Sequence, residues 1–247
     1  MAIFDHDTVV PDKNSDLSKK QQVAGMFNDI ACRYDFLNRV LSGGIDIRWR
    51  RKALAYLKQL NPKKILDVAT GTADVAIMAS GLLKPDKIIG IDISEGMLDI
   101  GRKKVKKLHL ENTIQLLNGD SETINFETGS FDAVTVAFGV RNFQHLEKGL
   151  AEILRVLKPG GKLVVLEFSQ PSSPFVKSFY NFYMKIVTPG MGRLFSKNRT
   201  AYEYLDESIK KFPEGKKFIQ ILKSLGYLKT QSKTLSLGIC SIYCGEK

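Results

Sequence analysis

Cysteine, histidine and tryptophan are scarce in this chain, with three, three and one among 247 residues. Three cysteines (Cys32, Cys240, Cys244) cannot build a disulfide framework, and the odd number points to a reducing compartment. His6, His109 and His145 are scattered, so no metal-ligand spacing and no Ser-His-Asp arrangement can be drawn; the expectation is that no metal is bound. Long apolar runs are also missing. The longest stretches, such as FDAVTVAFGV, fall short of the ~18 residues a spanning helix needs. The opening MAIFDHDTVVPDKN carries acids and no apolar core, so no secretory signal is expected. These absences lead to the expectation of a soluble, cytoplasmic protein. Acids are outnumbered, 26 against 37 basic residues, for a net charge of +11. Such a field favours nucleic acid, anionic headgroups or a phosphorylated substrate, or it is only a solvated surface.

What is present is ordinary globular material, with 43% hydrophobic and 26% charged residues. Residues 1–20 alternate in charge and read as a frayed or loosely packed arm. From Val23 to Leu60 the apolar spacing is helical. Val23, Met26, Phe27 and Ile30 form one stripe, and Trp49, Ala53, Tyr56, Leu57 and Leu60 another, with a turn at Gly43-Gly44 between them. Short Val/Ile/Leu runs then alternate with amphipathic helices. KKILDVATG, KIIGIDIS, TIQLLNGD, FDAVTVAFG and KLVVLEFS predict five strands. ADVAIMASGLL, EGMLDIGRKKVKKLHL (Met97, Leu98, Val105 and Leu108 inward) and LEKGLAEILRVLKPGG, stopped by Pro-Gly-Gly, predict the helices. That alternation implies parallel βαβ units in a doubly wound α/β sheet buried on both faces. An aromatic-rich insert with Pro171, Pro174 and Pro189 follows, then a helix at 215–225. The end, KTLSLGICSIYCGEK, predicts two strands too closely joined to be parallel.

Candidate site residues gather where strands end. Asp67-Val68-Ala69-Thr70-Gly71-Thr72-Ala73-Asp74 joins the first strand to the first helix, where ligands of open α/β sheets bind. Gly71 lets backbone approach a ligand closely. Acids at both ends of this loop, and the lack of GxGxxG spacing, oppose a pyrophosphate and suit a ligand carrying an ammonium and a sulfonium. Asp74 also reads as a helix N-terminal acid. Asp92 ends the second strand, where a carboxylate can accept both hydroxyls of a ribose. Asp120 and Ser121 end the third and suit an adenine, its amino group meeting the carboxylate; Asp120 as a plain turn acid is the other reading.

On these residues the chain resembles the class I S-adenosylmethionine-dependent methyltransferases. DVATGTAD is similar to their first motif, IIGIDIS to their second and GDSE to their third, with Ala73 where many members carry a last glycine. Outside this core, FNDIACRYDFLNRVLSGGIDIRWRRKAL, AFGVRNF and VLEFSQP resemble the C-methyltransferases of menaquinone and ubiquinone synthesis, from about residue 20 onward.

That resemblance implies a Rossmann-like fold with a seven-stranded, mostly parallel sheet and an antiparallel C-terminal hairpin. The expected organisation is a helical arm (1–60), a cofactor-binding core (61–170), an aromatic-rich substrate lid (171–214) and a C-terminal helix and hairpin (215–247). It implies S-adenosylmethionine as methyl donor, held by Asp67, Gly71, Thr72, Asp92, Asp120 and Ser121. It also implies a prenylated quinol substrate. Ala137, where some ubiquinone-branch members carry serine, leans the reading toward demethylmenaquinol; Asp46 stands where many members have histidine and takes no role.

Carbon methylation needs an electron-rich ring, which a quinol becomes on losing a phenol proton. Arg141 and Asn142 are expected to stabilise the phenolate, Arg141 without titrating; the alternative for Arg141 is an ion pair with Glu167. Tyr34, Asp35 or water are candidates to remove the ring proton. Phe175, Phe179, Tyr180, Phe182, Tyr183, Met184 and Ile186 are expected to cover the pocket or to pack as core. Peripheral membrane contact and a homodimer complete the expectations, without nucleic acid. The alternatives are the ubiquinone-branch benzoquinol, an RNA or small-molecule methyltransferase, and a non-catalytic S-adenosylmethionine-binding protein.

Overall fold

The computed structural model describes residues 4–171 and 199–247. The seven strands are β1 (Lys64–Val68), β2 (Lys87–Asp92), β3 (Ile114–Asn118), β4 (Phe131–Ala137), β5 (Leu157–Phe168), β6 (Leu228–Leu235) and β7 (Cys240–Glu246). They form one sheet in the order β3-β2-β1-β4-β5-β7-β6. The first five are parallel, and β7 runs antiparallel to both β5 and β6. The chain winds outward from β1 to β3, then returns to lay β4 against the other side of β1. This reversal is the switch point at which open α/β sheets bind ligands.

Period-two alternation sends successive side chains to opposite faces. Ile65, Ile88, Ala133 and Val164 face a core built with Trp49, Leu54, Leu57, Ala76 and Leu98. Leu66, Ile89, Val134 and Val165 face a second core with Leu150, Ile153, Phe218 and Leu222. Helices cover both faces, which is why the strands read as uninterrupted apolar runs.

Two helices precede the sheet: α1 (Lys19–Ser42) and α2 (Ile45–Ala55). A capping box starts α1, in which Ser18 and Gln21 exchange side-chain and backbone bonds. Gly43 and Gly44, both left-handed, stop it, donating to Val40 and Arg39 carbonyls. Then come α3 (Asp74–Leu83), α4 (Glu95–Lys107), α5 (Leu146–Val156), α6 (Arg199–Lys211) and α7 (Lys216–Ser224).

Several expectations are corrected. The described part of the first twenty residues is not frayed. Asp5–Thr8 form a 3-10 turn, His6 and Val9 are buried, and Val9 packs with Val23 of α1 and Tyr204 of α6. Leu108 faces solvent, because α4 ends at Lys107 and the chain turns there. Pro159-Gly160-Gly161 does not cap α5; it lies within β5, where the pairing with β4 is irregular. The described part of the 171–214 stretch holds α6, whose Tyr204 and Ile209 are buried. The aromatics from Phe175 to Ile186 lie outside the described residues.

Candidate active site

A cleft of about 650 Å³, including its open mouth, lies beyond the carboxyl ends of β1–β4. Each strand end contributes to its wall: Ala69 and Gly71 after β1, Asp92 and Ile93 at β2, Gly119 to Glu122 after β3, and Ala137 to Gly139 with Asn142 after β4. The opposite wall is α1, through Lys20, Val23, Phe27 and Tyr34.

The backbone of this wall is strained where it turns. Ala69 and Phe138 both have positive φ, 53° and 58°, and Ala73 caps α3 at φ 65°. L-residues rarely adopt such angles, and they persist where surrounding structure holds them, often at functional sites. Gly71, at φ 55°, adopts the same region without that cost. It donates its N–H to Asp92 Oδ2 at 2.8 Å, while Ser94 N–H donates to Asp92 Oδ1 at 2.9 Å. Asp92 thereby locks the β1 and β2 loops together and faces the pocket. Burial pushes its carboxyl upward, against the pull of those N–H donors.

Of the residues expected to bind a cofactor, Gly71, Asp92, Asp120 and Ser121 line this cleft, and Asp67 and Thr72 lie behind it. Asp67 is buried and shares a face with Thr135, its register partner on β4. Thr135 Oγ1 donates to Asp67 Oδ1 at 2.5 Å and Thr70 Oγ1 to Oδ2 at 2.6 Å. Both oxygens therefore brace the β1 loop from beneath, and burial pushes the carboxyl up to about 6. Thr72 Oγ1 donates to Asp35 at 2.6 Å and accepts from Lys104 Nζ at 3.2 Å, so it ties α1 to α4.

Asp35 and Asp74 belong to a charged network that fastens α1 over the strand ends. Lys104 binds both, Arg39 binds Asp74 and Asp46, and Arg50 binds Asp46. These cations hold the Asp74 carboxyl below its usual range despite its burial. Asn28 Oδ1 adds a neutral tie, accepting from Ser94 Oγ and Gly96 N–H. At the other end of α1, Lys20 pairs with Asp120 and lies 3.6 Å from Glu122.

Arg141 and Asn142 follow β4 in a 3-10 turn, Val140–Asn142. Asn142 lines the cleft; Arg141 is buried beside it. Arg141 Nη1 donates to Glu167 Oε1 and to the Phe138 carbonyl, each at 2.6 Å. Glu167 raises the guanidinium pKa despite burial, so the cation is permanent. Arg141 Nε has no hydrogen-bond partner among the described residues. Tyr34 and Tyr204 are near enough to feel its charge. Sequence reasoning missed Lys20, Phe27, Phe138 and Phe143 as wall residues. The FNDIACRYDFLN and AFGVRNF segments carried the signal, because the first opens with Phe27 and the second contains Phe138 and Phe143. Among the described residues no cluster of three His, Cys, Asp or Glu side chains could hold a metal, and no helix is long and apolar enough to cross a membrane.

The sheet order and the cleft at its switch point define the protein as a Rossmann-like methyltransferase in fold. A SAM-dependent methyltransferase of Thermotoga maritima superposes with a TM-score of 0.60 at 18% identity, covering 90% of this chain and 99% of that one. The Haemonchus contortus enzyme solved with phosphomonomethylethanolamine and S-adenosylhomocysteine superposes at 0.59 with 16% identity, over 80% of this chain and 52% of that one. The chain belongs to the ubiE/COQ5 methyltransferase family, whose model matches residues 15–247. It is a SAM-dependent methyltransferase. It is 47% identical to a demethylmenaquinone methyltransferase of Bacteroides fragilis over 95% of this chain and 96% of that one. The ubiquinone/menaquinone biosynthesis C-methyltransferase UbiE of Geobacter sulfurreducens is 45% identical over 93% and 90%. The demethylmenaquinone methyltransferase of Porphyromonas gingivalis is 41% identical over 95% and 96%.

Proposed function

We propose that the protein transfers the methyl group of S-adenosylmethionine to a ring carbon of demethylmenaquinol, giving menaquinol. The observation that carries this reading is the near full-length likeness to demethylmenaquinone methyltransferases. The cleft is consistent with it: the strand-end wall carries carboxylates, aromatics and the Asn142 amide, and the Arg141 Nε–H, without a partner among the described residues, is buried beside Asn142.

The donor set fits the methyl donor. Asp92, fixed by two backbone N–H groups, presents its remaining lone pairs where ribose hydroxyls can donate. Asp120 and Ser121, one strand end further out, take the adenine edge. Gly71 leaves room for the methionine portion against bare backbone. Asp67 and Thr72 act from behind, keeping the loop in its strained shape. When bound, S-adenosylmethionine supplies an electrophilic methyl group.

Asn142 meets the quinol oxygen that becomes a phenolate, and Arg141, with its spare N–H at Nε, stabilises the charge at short range. Phe27, Phe138 and Phe143 exclude water, which strengthens those interactions. Tyr34 stands on the substrate side of the cleft, whereas Asp35 is held by Thr72 and Lys104 and is not free to take a ring proton.

The test is a direct assay: purified protein, S-adenosylmethionine and a short-tailed demethylnaphthoquinol, with mass spectrometry for a 2-methylnaphthoquinol product. Methylation of a methoxybenzoquinol instead would move the reading to the ubiquinone branch. Methylation of neither, with binding of the cofactor intact, would overturn the substrate assignment. Because a prenylated quinol resides in the bilayer, the same reading carries peripheral membrane contact. Salt-sensitive co-sedimentation with anionic liposomes supports that contact, and its absence counts against it.

A further inference from the structure

The carboxamide of Asn142 can be oriented only one way. Its Nδ2 lies 3.5 Å from the Phe138 carbonyl oxygen, which can only accept, so the NH2 group faces that side. Its Oδ1 lies 3.1 Å from the hydroxyl of Tyr204, which therefore donates. Tyr204 is 4% exposed and comes from α6, remote in sequence from the turn it supports. Its ring packs against Val9 and Val23, and Val23 lines the cleft.

We propose that Tyr204 is a positioning residue for methyl transfer. Its hydroxyl holds the Asn142 amide with one N–H left to donate into the cleft, so that the site accepts a substrate oxygen that is an acceptor, a phenolate or carbonyl, rather than a hydroxyl proton. This deepens, and rests on, the assignment of Asn142 to the quinol oxygen. Three groups face the Tyr204 hydroxyl region: Asn142, Arg141 and Glu167. Burial and Glu167 push the phenol upward and outweigh the opposing pull of Arg141, so it stays protonated and keeps donating at any working pH. Without the hydroxyl, Asn142 can rotate and turn its oxygen toward the substrate oxygen, which replaces an attraction with a repulsion. Arg141 cannot restore the orientation of the amide, since its Nη1 is committed to Glu167 and Phe138 and its Nε makes no bond to Asn142.

The experiment is a double-mutant cycle of Tyr204→Phe and Asn142→Leu in the full chain, read as kcat, quinol KM and S-adenosylmethionine affinity. Tyr204→Phe keeps the packed ring. It is expected to lower kcat about tenfold, the equivalent of one lost hydrogen bond, with cofactor affinity unchanged. In the Asn142→Leu background the same change should add less than about twofold, because there is no amide left to orient. A merely structural tyrosine would give losses that multiply, and that result overturns the proposal, as does full activity of Tyr204→Phe. If Asn142→Leu itself turns over normally, the assignment of Asn142 to the quinol falls, and Tyr204 with it. If Asn142→Leu is impaired and Tyr204→Phe is not, only the Tyr204 proposal falls. A readout independent of turnover is the side-chain NH2 resonance of Asn142, identified by its loss in Asn142→Leu. Tyr204→Phe must shift it, and an unmoved resonance overturns the proposal.

Discussion

Arg141 and Glu167 form a buried ion pair, Nη1 to Oε1 at 2.6 Å, that joins the turn after β4 to the end of β5. Glu167 Oε2 also accepts the Arg141 backbone N–H at 3.3 Å, and Oε1 accepts that of Phe168 at 2.9 Å. The pair therefore sets the path of the turn that carries Asn142. Removing one partner of such a pair leaves an uncompensated buried charge and costs about 3–5 kcal/mol. Glu167→Gln should lower the melting temperature by about 10 °C and reduce methyl transfer with it. Replacing both partners, Arg141→Met with Glu167→Leu, should recover only part of the stability: no charge is stranded, but the backbone N–H groups at 141 and 168 lose their Glu167 acceptor. Activity should stay low in the double variant if the Arg141 cation serves the phenolate. Thermal melts and the methylation assay on the same samples separate the two effects; an active double variant would reduce Arg141 to scaffolding.

Asp92 is the carboxylate through which cofactor affinity should be most sensitive. It is held by Gly71 and Ser94 N–H groups and still faces the cleft. Asp92→Asn exchanges one acceptor oxygen for a donor, which both strands the Gly71 or Ser94 N–H and removes a ribose partner. Hydrogen bonds to a charged group contribute about 1.5–3 kcal/mol, so S-adenosylmethionine affinity should fall about 10- to 100-fold. Isothermal titration calorimetry reads this directly, and an unchanged affinity would refute the placement of the ribose.

The strands and the acids at their tips were legible because parallel strands buried on both faces must be apolar runs, and because loops after those strands are where polar ligands bind. Asp92 and Asp120 were found this way. What could not be read was sidedness. Asp67 is the next-to-last residue of β1 where Asp92 is the last of β2, and it pairs with Thr135 across the register and turns beneath the loop. That depends on β4 lying beside β1, a relation between segments far apart in sequence. For the same reason the helical stripe of Val23 and Phe27 was visible as apolar, while the fact that α1 roofs the cleft was not. Arg141 offered two partners on paper; the adjacency of β4 and β5 supplies Glu167.

Acid should loosen the N-terminal segment first. His6 is fully buried beside Phe4 and Phe212, and neither ring nitrogen has a hydrogen-bond partner. Burial, and then the Lys19 cation, push its pKa from 6.5 down to about 3; the Asp7 carboxylate, at 3.3 Å, is too poorly placed to offset them. The unfolded or undocked state binds the proton first, so the docked state is favoured in full above pH 6.5 and loses stability as pH falls from there toward 3. Each pH unit within that window costs up to about 1.4 kcal/mol. Hydrogen exchange over residues 4–9 should quicken between pH 7.5 and 5 in the native protein, beyond the intrinsic change. His6→Phe should abolish that excess, and an equal excess in both proteins would show that His6 is not the sensor.

Gly139 gives the sharpest steric test of the cleft wall. A methyl group there would lie 2.5 Å from the Cβ of Ala69, and Ala69 is itself part of the wall at φ 53°. Neither backbone can yield without moving the β1 or β4 loop, so Gly139→Ala should destabilise the protein by about 1–3 kcal/mol, the range for overpacking. It should also weaken cofactor binding several-fold, because the displaced Ala69 is only two residues before Gly71. The compensating change is Ala69→Gly, which removes the opposing methyl and relieves the positive φ at once. The pair Gly139→Ala with Ala69→Gly should therefore approach native stability and affinity, while either effect persisting in the double variant would place the damage elsewhere in the β4 turn. Melting curves and calorimetry on the three variants decide it, and because the contact is between two methyl-sized groups, the recovery tests wall packing without altering any charge or hydrogen bond in the site.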